Sequence, residues 1–141
     1  MNDTVVRTGG CACGEVRYVL VGEPDRVGVC HCMGCRKRHG APFNVFVTFP
    51  VAQVCVRGEL ATRPGETGIR AGCARCGSPV FWSDAEGAEI EIHLGGLDDT
   101  GQFEPQYELW TVRREPWVAA LDVPQYPGNR PPGGPIRPRV A

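Results

Sequence analysis

At 141 residues, with 42% hydrophobic and 22% charged side chains, the chain has the size and composition of one soluble domain with its own hydrophobic core. A formal net charge of −1 excludes the broad basic surface on which general nucleic-acid binding depends. No apolar run approaches the roughly 20 residues that cross a bilayer, and no basic-then-apolar leader opens the sequence, so a cytoplasmic protein with no membrane association is expected.

Residues 1–8 read as a lead-in. Thr8-Gly9-Gly10-Cys11-Ala12-Cys13-Gly14 is a first thiol knuckle, its glycines allowing the close backbone approach a thiolate requires. Residues 15–21 are rich in β-branched and aromatic side chains and predict a strand that ends at Gly22-Glu23-Pro24-Asp25. A short strand over residues 26–29 feeds Cys30-His31-Cys32-Met33-Gly34-Cys35. A helical turn or two is predicted over residues 33–39, stopped by Gly40. Strands follow at 44–50 and 53–57, the second carrying Cys55 as a small buried hydrophobe. Residues 58–68 are polar and turn-forming. Residues 69–72 lead into a second knuckle, Cys73-Ala74-Arg75-Cys76-Gly77, and residues 78–82 leave it as a strand.

Asp84-Ala85-Glu86-Gly87 is a hairpin turn. Residues 89–94 then alternate strictly, turning Ile90, Ile92 and Leu94 to the core and His93 to solvent. Residues 107–112 and Trp117 supply aromatic bulk to close that core. Residues 124–141 hold six prolines and no acidic side chain, which predicts a tail wrapped over the domain or partly mobile. The expected architecture is all-β, with nine to eleven short strands and one short helix. It comprises a single domain over residues 1–123 and a Pro/Gly-rich tail over 124–141.

Of the eight cysteines, seven sit in C-x-C, C-x-C-x-x-C and C-x-x-C clusters, spacings that share a metal more readily than they bridge distant strands. The simplest partition gathers Cys11, Cys13, Cys73 and Cys76 into a closed four-thiolate zinc site with a structural role. Joining Cys30 and Cys32 to Cys73 and Cys76 instead strands Cys11 and Cys13. In the simpler partition Cys30, Cys32 and Cys35 remain. His31, as the middle residue of a C-x-C, points away from them. Three outcomes stay open there: a fourth protein ligand, with His39 or Cys55 the candidates; water or a substrate thiol at an open position; or no metal at all. An open position on a thiolate-rich zinc favours a soft ligand and would hold an incoming thiol as its thiolate. Arg36 and Lys37 would suit an anionic thiol, although a run of charges on a short helix also reads as a solvated face. With seven thiolates and two zinc ions the net charge becomes about −4.

Three motifs, residues 9–18, residues 30–37 and residues 73–79, resemble, in this order, the glutathione-dependent formaldehyde-activating enzyme family. The resemblance implies an Mss4-like all-β fold carrying two zinc ions. Cys11, Cys13, Cys73 and Cys76 would hold a structural zinc, and Cys30, Cys32 and Cys35 a catalytic one. It also implies a carbon–sulfur lyase-type activity, S-(hydroxymethyl)glutathione synthase-like, that joins glutathione or a related thiol to formaldehyde or a small aldehyde. The rival expectation is a non-catalytic zinc module that engages a protein or nucleic-acid partner. A fourth protein ligand at the second site would favour that module.

Overall fold

The computed structural model describes residues 4–139. In chain order its elements are β1 (Val6–Gly10), β2 (Arg17–Val21), β3 (Arg26–Cys30), α1 (Met33–His39), β4 (Asn44–Pro50) and β5 (Val54–Arg57). They continue with β6 (Leu60–Pro64), β7 (Gly68–Cys73), β8 (Pro79–Asp84), β9 (Glu89–His93) and β10 (Tyr107–Leu109). Ten short strands and one α-helix among the described residues make the fold mostly β, as the turn-rich sequence requires. The chain divides into two compact units, one holding residues up to Asp25 together with 47–102, the other 26–46 together with residues from Phe103 onward.

In the first unit, β1, β2 and β5 form an antiparallel sheet in that order. Tyr18 and Leu20 point inward from β2, while Val19 and Val21 face out. β1 lies where only a lead-in was expected. Its glycine-ended sequence has little strand signal of its own, and it is recruited by β2 across the first knuckle, from Gly10↔Arg17 to Val6↔Val21. Cys55 corrects the expectation of burial. Side chains alternate along β5, so Val54 and Val56 turn inward and Cys55 stands exposed opposite Val19.

The same unit holds β9, β8, β7 and β6, antiparallel neighbours in that order. Ile90 and Ile92 are buried from β9 as their alternation predicts, but Leu94 begins a 3₁₀ turn and is half-buried, and so is His93. β6 falls inside the stretch read as turns. Its outer edge has no neighbouring strand among the described residues, four of its five residues are exposed, and Pro64 is tolerated at its end, so no apolar period marks it. A register shift between Ala71 and Gly72 precedes the second knuckle.

In the second unit, β10 pairs in parallel with β3, Tyr107 opposite Gly28 and Leu109 opposite Cys30. α1 matches the expected span, and Gly40 ends it with φ 57°. The C-terminal segment is fastened along β10 by backbone bonds. Glu108 N donates to Pro124 O (3.0 Å), Tyr126 N to Glu108 O (2.9 Å) and Arg137 N to Gln106 O (2.9 Å). Tyr107 is buried as expected, whereas Val112 and Trp117 are exposed, 64% and 73%. β10 ends after three residues in a 3₁₀ turn over Thr111–Arg113, which carries the following aromatic residue out of the core rather than into it.

In the first unit Tyr18 sits against two glycines. A Cβ on Gly9 would lie 2.5 Å from the Tyr18 hydroxyl and 2.4 Å from the Gly96 carbonyl oxygen. Gly9→Ala should therefore cost about 1–3 kcal/mol by overpacking. Gly95→Ala, where nothing lies within 4 Å of the new Cβ, should leave the thermal midpoint nearly unchanged. Equal midpoints for the two variants would contradict this packing.

Candidate metal centres

All eight cysteines are free thiols, and seven of them converge in two groups. The four sulfurs of Cys11, Cys13, Cys73 and Cys76 lie within 4.8 Å of one another. Zn–S bonds of about 2.3 Å in a tetrahedron imply S···S separations of about 3.8 Å. The observed Cys11–Cys13 and Cys13–Cys73 separations are 3.5 and 3.7 Å. Each knuckle turns on a glycine in the left-handed region, Gly14 at φ 81° and Gly77 at φ 77°, where a side chain would be strained. The turns also aim amide donors at sulfur. Val16 N lies 3.2 Å from Cys11 Sγ, and the amides of Arg75 and Cys76 lie 3.4 Å from Cys73 Sγ. Ser78 joins the two knuckles, accepting from Ala12 N and meeting Cys76 Sγ at 3.1 Å.

The thiols of this group differ sharply in acidity. Hydrogen bonding from the Ser78 hydroxyl, and then from its backbone amide, lowers Cys76 from 9.0 to about 5. At Cys13 the backbone bond at Glu15 favours the thiolate, but desolvation and the neighbouring cysteines outweigh it and push the thiol up to about 11. Four sulfurs this close cannot all ionise unless a cation shares their charge.

The second group is Cys30, Cys32 and Cys35, also within 4.8 Å of one another. Cys30 ends β3, Cys32 is the N-cap of α1, and Cys35 lies in its first turn, with its amide 3.3 Å from Cys32 Sγ. His39 and Cys55, the sequence candidates for a fourth ligand, are not in the group, and no other protein ligand among the described residues joins it. The setting is apolar. Cys30 packs with Phe46 and Tyr107, and Leu109, Trp110, Tyr126 and Ile136 close around that cluster. Gly28 makes room for it, because a Cβ there would lie 2.5 Å from the Phe46 ring and 2.8 Å from Tyr107. The neighbouring Cys35 thiol, together with burial, raises the pKa of Cys30 well above the ordinary thiol range. Trp110 holds a left-handed backbone, φ 54°, with its indole Nε1 donating to Asn129 Oδ1 at 2.8 Å.

His31 points away from the thiols, as the C-x-C geometry requires, and is fully buried with its Nε2 2.8 Å from Glu108 Oε1. Sequence reasoning missed Glu108, whose only local signal is an acidic residue among apolar neighbours. Arg36 donates to Arg113 O (3.1 Å) and pairs with Glu115. Lys37 has no carboxylate partner among the described residues. Both line a hollow of about 470 Å³ with Met33, Pro42, Glu115 and Trp117. The helical advance of about 100° per residue turns Lys37 to the opposite side of α1 from Cys35.

Residues 6–113 match the profile of the glutathione-dependent formaldehyde-activating enzymes. The chain belongs to that family. All seven clustered cysteines lie inside the span that defines these formaldehyde-activating enzymes here, whereas residues 114–139 lie beyond it. A crystal structure of a Rhodobacter sphaeroides protein has a similar fold, with a TM-score of 0.52 at 20% identity, covering 67% of this chain and 91% of that one. In this member of the formaldehyde-activating enzyme family, then, two cysteine groups can each hold a metal ion, and they differ in how many protein ligands they offer.

That difference should separate their roles. Cys76→Ala should lose one metal ion and about 3 kcal/mol or more of stability, because its group ties together knuckles sixty residues apart. Cys32→Ala should also lose one metal ion but keep the far-UV dichroism of the wild type and most of its thermal stability. Metal analysis and thermal melts of both variants check this, and equal destabilisation would contradict it.

Proposed function

We propose that the chain is a two-zinc carbon–sulfur lyase-type enzyme, S-(hydroxymethyl)glutathione synthase-like, that joins glutathione or a related thiol to formaldehyde or a small aldehyde. Cys11, Cys13, Cys73 and Cys76 would hold a structural zinc, and Cys30, Cys32 and Cys35 a catalytic one. The observation that carries this reading is the second group: three convergent sulfurs, no fourth protein ligand among the described residues, and an apolar wall around them. A closed four-thiolate site has no place for a substrate, whereas a three-thiolate site keeps one. Family membership supplies the substrates of the proposal.

The chemistry a zinc supplies at such a site is to lower the pKa of a thiol ligand and hold it as the thiolate. In the net reaction one S–C bond forms at the formaldehyde carbon. The π pair of the C=O bond moves to oxygen, and the proton given up by the thiol ends on that oxygen. The chain's own contribution is placement. Cys30, Cys32 and Cys35 fix the sulfur-binding point, and Leu109, Trp110, Tyr126 and Ile136 limit water around it. Lys37, on the far side of α1, suits a carboxylate remote from the ligand's sulfur, with Arg36 beside it in the same hollow but already paired with Glu115. The reading goes with a reducing, cytoplasmic setting, which would keep both the protein's free thiols and the substrate thiol reduced.

Two-dimensional exchange NMR on glutathione and its formaldehyde adduct tests the activity. The wild type should speed the exchange above the uncatalysed rate, and Cys32→Ala should not. Absence of enhancement by the zinc-loaded wild type would remove the proposed reaction. Lys37→Met should weaken the apparent affinity for glutathione several-fold while leaving that for 2-mercaptoethanol unchanged. Equal effects on the two thiols would exclude Lys37 from carboxylate recognition.

A further inference from the structure

We infer that Glu108 is a positioning residue of the three-thiol centre, acting through His31, and that the segment around Arg114–Gln125 is thereby built into that centre. The inference rests on the reading of Cys30, Cys32 and Cys35 as metal ligands. In the C-x-C formed by Cys30, His31 and Cys32, the middle residue shares its backbone with both flanking ligands. Whatever fixes residue 31 therefore fixes where the two sulfurs point. β10 holds it twice. The His31 amide donates to Leu109 O at 3.1 Å, and the His31 ring bonds the Glu108 carboxylate at 2.8 Å.

Glu108 is itself 2% exposed, and its hydrogen bonding is extensive. Besides His31 on Oε1, its Oε2 accepts from Gln125 Nε2 (2.8 Å), Leu121 N (2.9 Å) and Arg114 Nη2 (3.1 Å). Burial alone would raise its pKa, but the bonds from His31, Gln125 and Leu121, with the charge of Arg114, outweigh that and hold the carboxyl below its ordinary value. An ionised carboxylate only accepts, so His31 Nε2 carries the proton and donates. That leaves the buried Nδ1 with no partner, a cost the fold accepts at this position. Phe43 lies beside the ring, with centroids 5.4 Å apart and planes tilted by 54°.

The donors on Oε2 all come from residues past 113, the end of the family match. The cysteine pattern is therefore a family feature, while the clamp behind it uses this chain's C-terminal segment. Removing hydrogen-bonded groups behind metal ligands lowers metal affinity by about 10–100-fold in characterised sites. A comparable loss is expected here, confined to one of the two centres.

The test follows zinc release from the full-length, zinc-loaded protein to a chromogenic chelator, with the four-thiol group as the reference within the same molecule. Two substitutions are compared with the wild type. Glu108→Gln keeps the shape and removes the charge. His31→Phe removes the bond while leaving Glu108 its other three donors, and it carries the test if Glu108→Gln does not fold. The wild type should release two zinc ions, the first from the three-thiol centre. Each variant should release that first ion at least about tenfold faster and the second at the wild-type rate. In cobalt-substituted protein the d–d bands of the three-thiol centre should shift in both variants. Release unchanged in both phases, or both phases accelerated alike with a matching fall in thermal midpoint, would overturn the positioning role. A wild type that binds a single zinc would instead overturn the reading of the three cysteines as a metal centre.

Discussion

Seven sulfurs gathered into two tight groups set a constraint that the rest of the fold has to meet. Thiolates at 3.5–3.7 Å repel, and the split acidities of Cys13 and Cys76 show how unevenly a metal-free group would share its protons. A divalent cation removes that conflict and converts repulsion into cross-linking. The secondary structure is arranged to deliver the sulfurs. β1 and β2 present one knuckle of the first group, β7 and β8 the other, and β3 hands the second group directly to the start of α1. With many short strands and few long apolar runs, such a chain would draw from a metal at the four-thiol group cohesion that a larger core would otherwise supply.

On the proposed reading, the two groups divide structural and chemical work by ligand count. The first offers four sulfurs from paired knuckles with amide donors aimed at them, a closed arrangement. The second offers three, set against Phe46 and Tyr107 and enclosed by side chains that reach into the C-terminal segment. An apolar surround strengthens the electrostatic interactions of anything bound there and keeps water at a distance. That combination is suited to holding a soft, anionic ligand, which connects the site's geometry to the thiol chemistry proposed for it.

Features fixed by short-range spacing were legible in the sequence. The three knuckles, α1 with its stop at Gly40, and the alternation of Ile90 and Ile92 each depend on residues within a few positions of one another. Features fixed by partners far along the chain were not. β1 and β6 exist because β2 and β7 pair with them, and their own residues carry little strand preference. The strand-like run Val54-Cys55-Val56 suggests a buried thiol, yet the pleat of β5 turns Cys55 outward. Trp117 has the bulk of a core residue, yet the 3₁₀ turn after β10 leads it away. The His31–Glu108 pair spans 77 residues, and nothing near either residue announces the other.

On the proposed reading one chain carries two metal ions, one closed by four protein sulfurs and one held by three. X-ray absorption at the zinc edge of the purified protein, with metal content measured on the same sample, tests it most directly. Two zinc ions per chain are expected, with an average of about 3.5 sulfur ligands per zinc in the absence of added thiol, rising towards four when glutathione is supplied. A single zinc per chain, or four sulfurs around each zinc before any thiol is added, would contradict it.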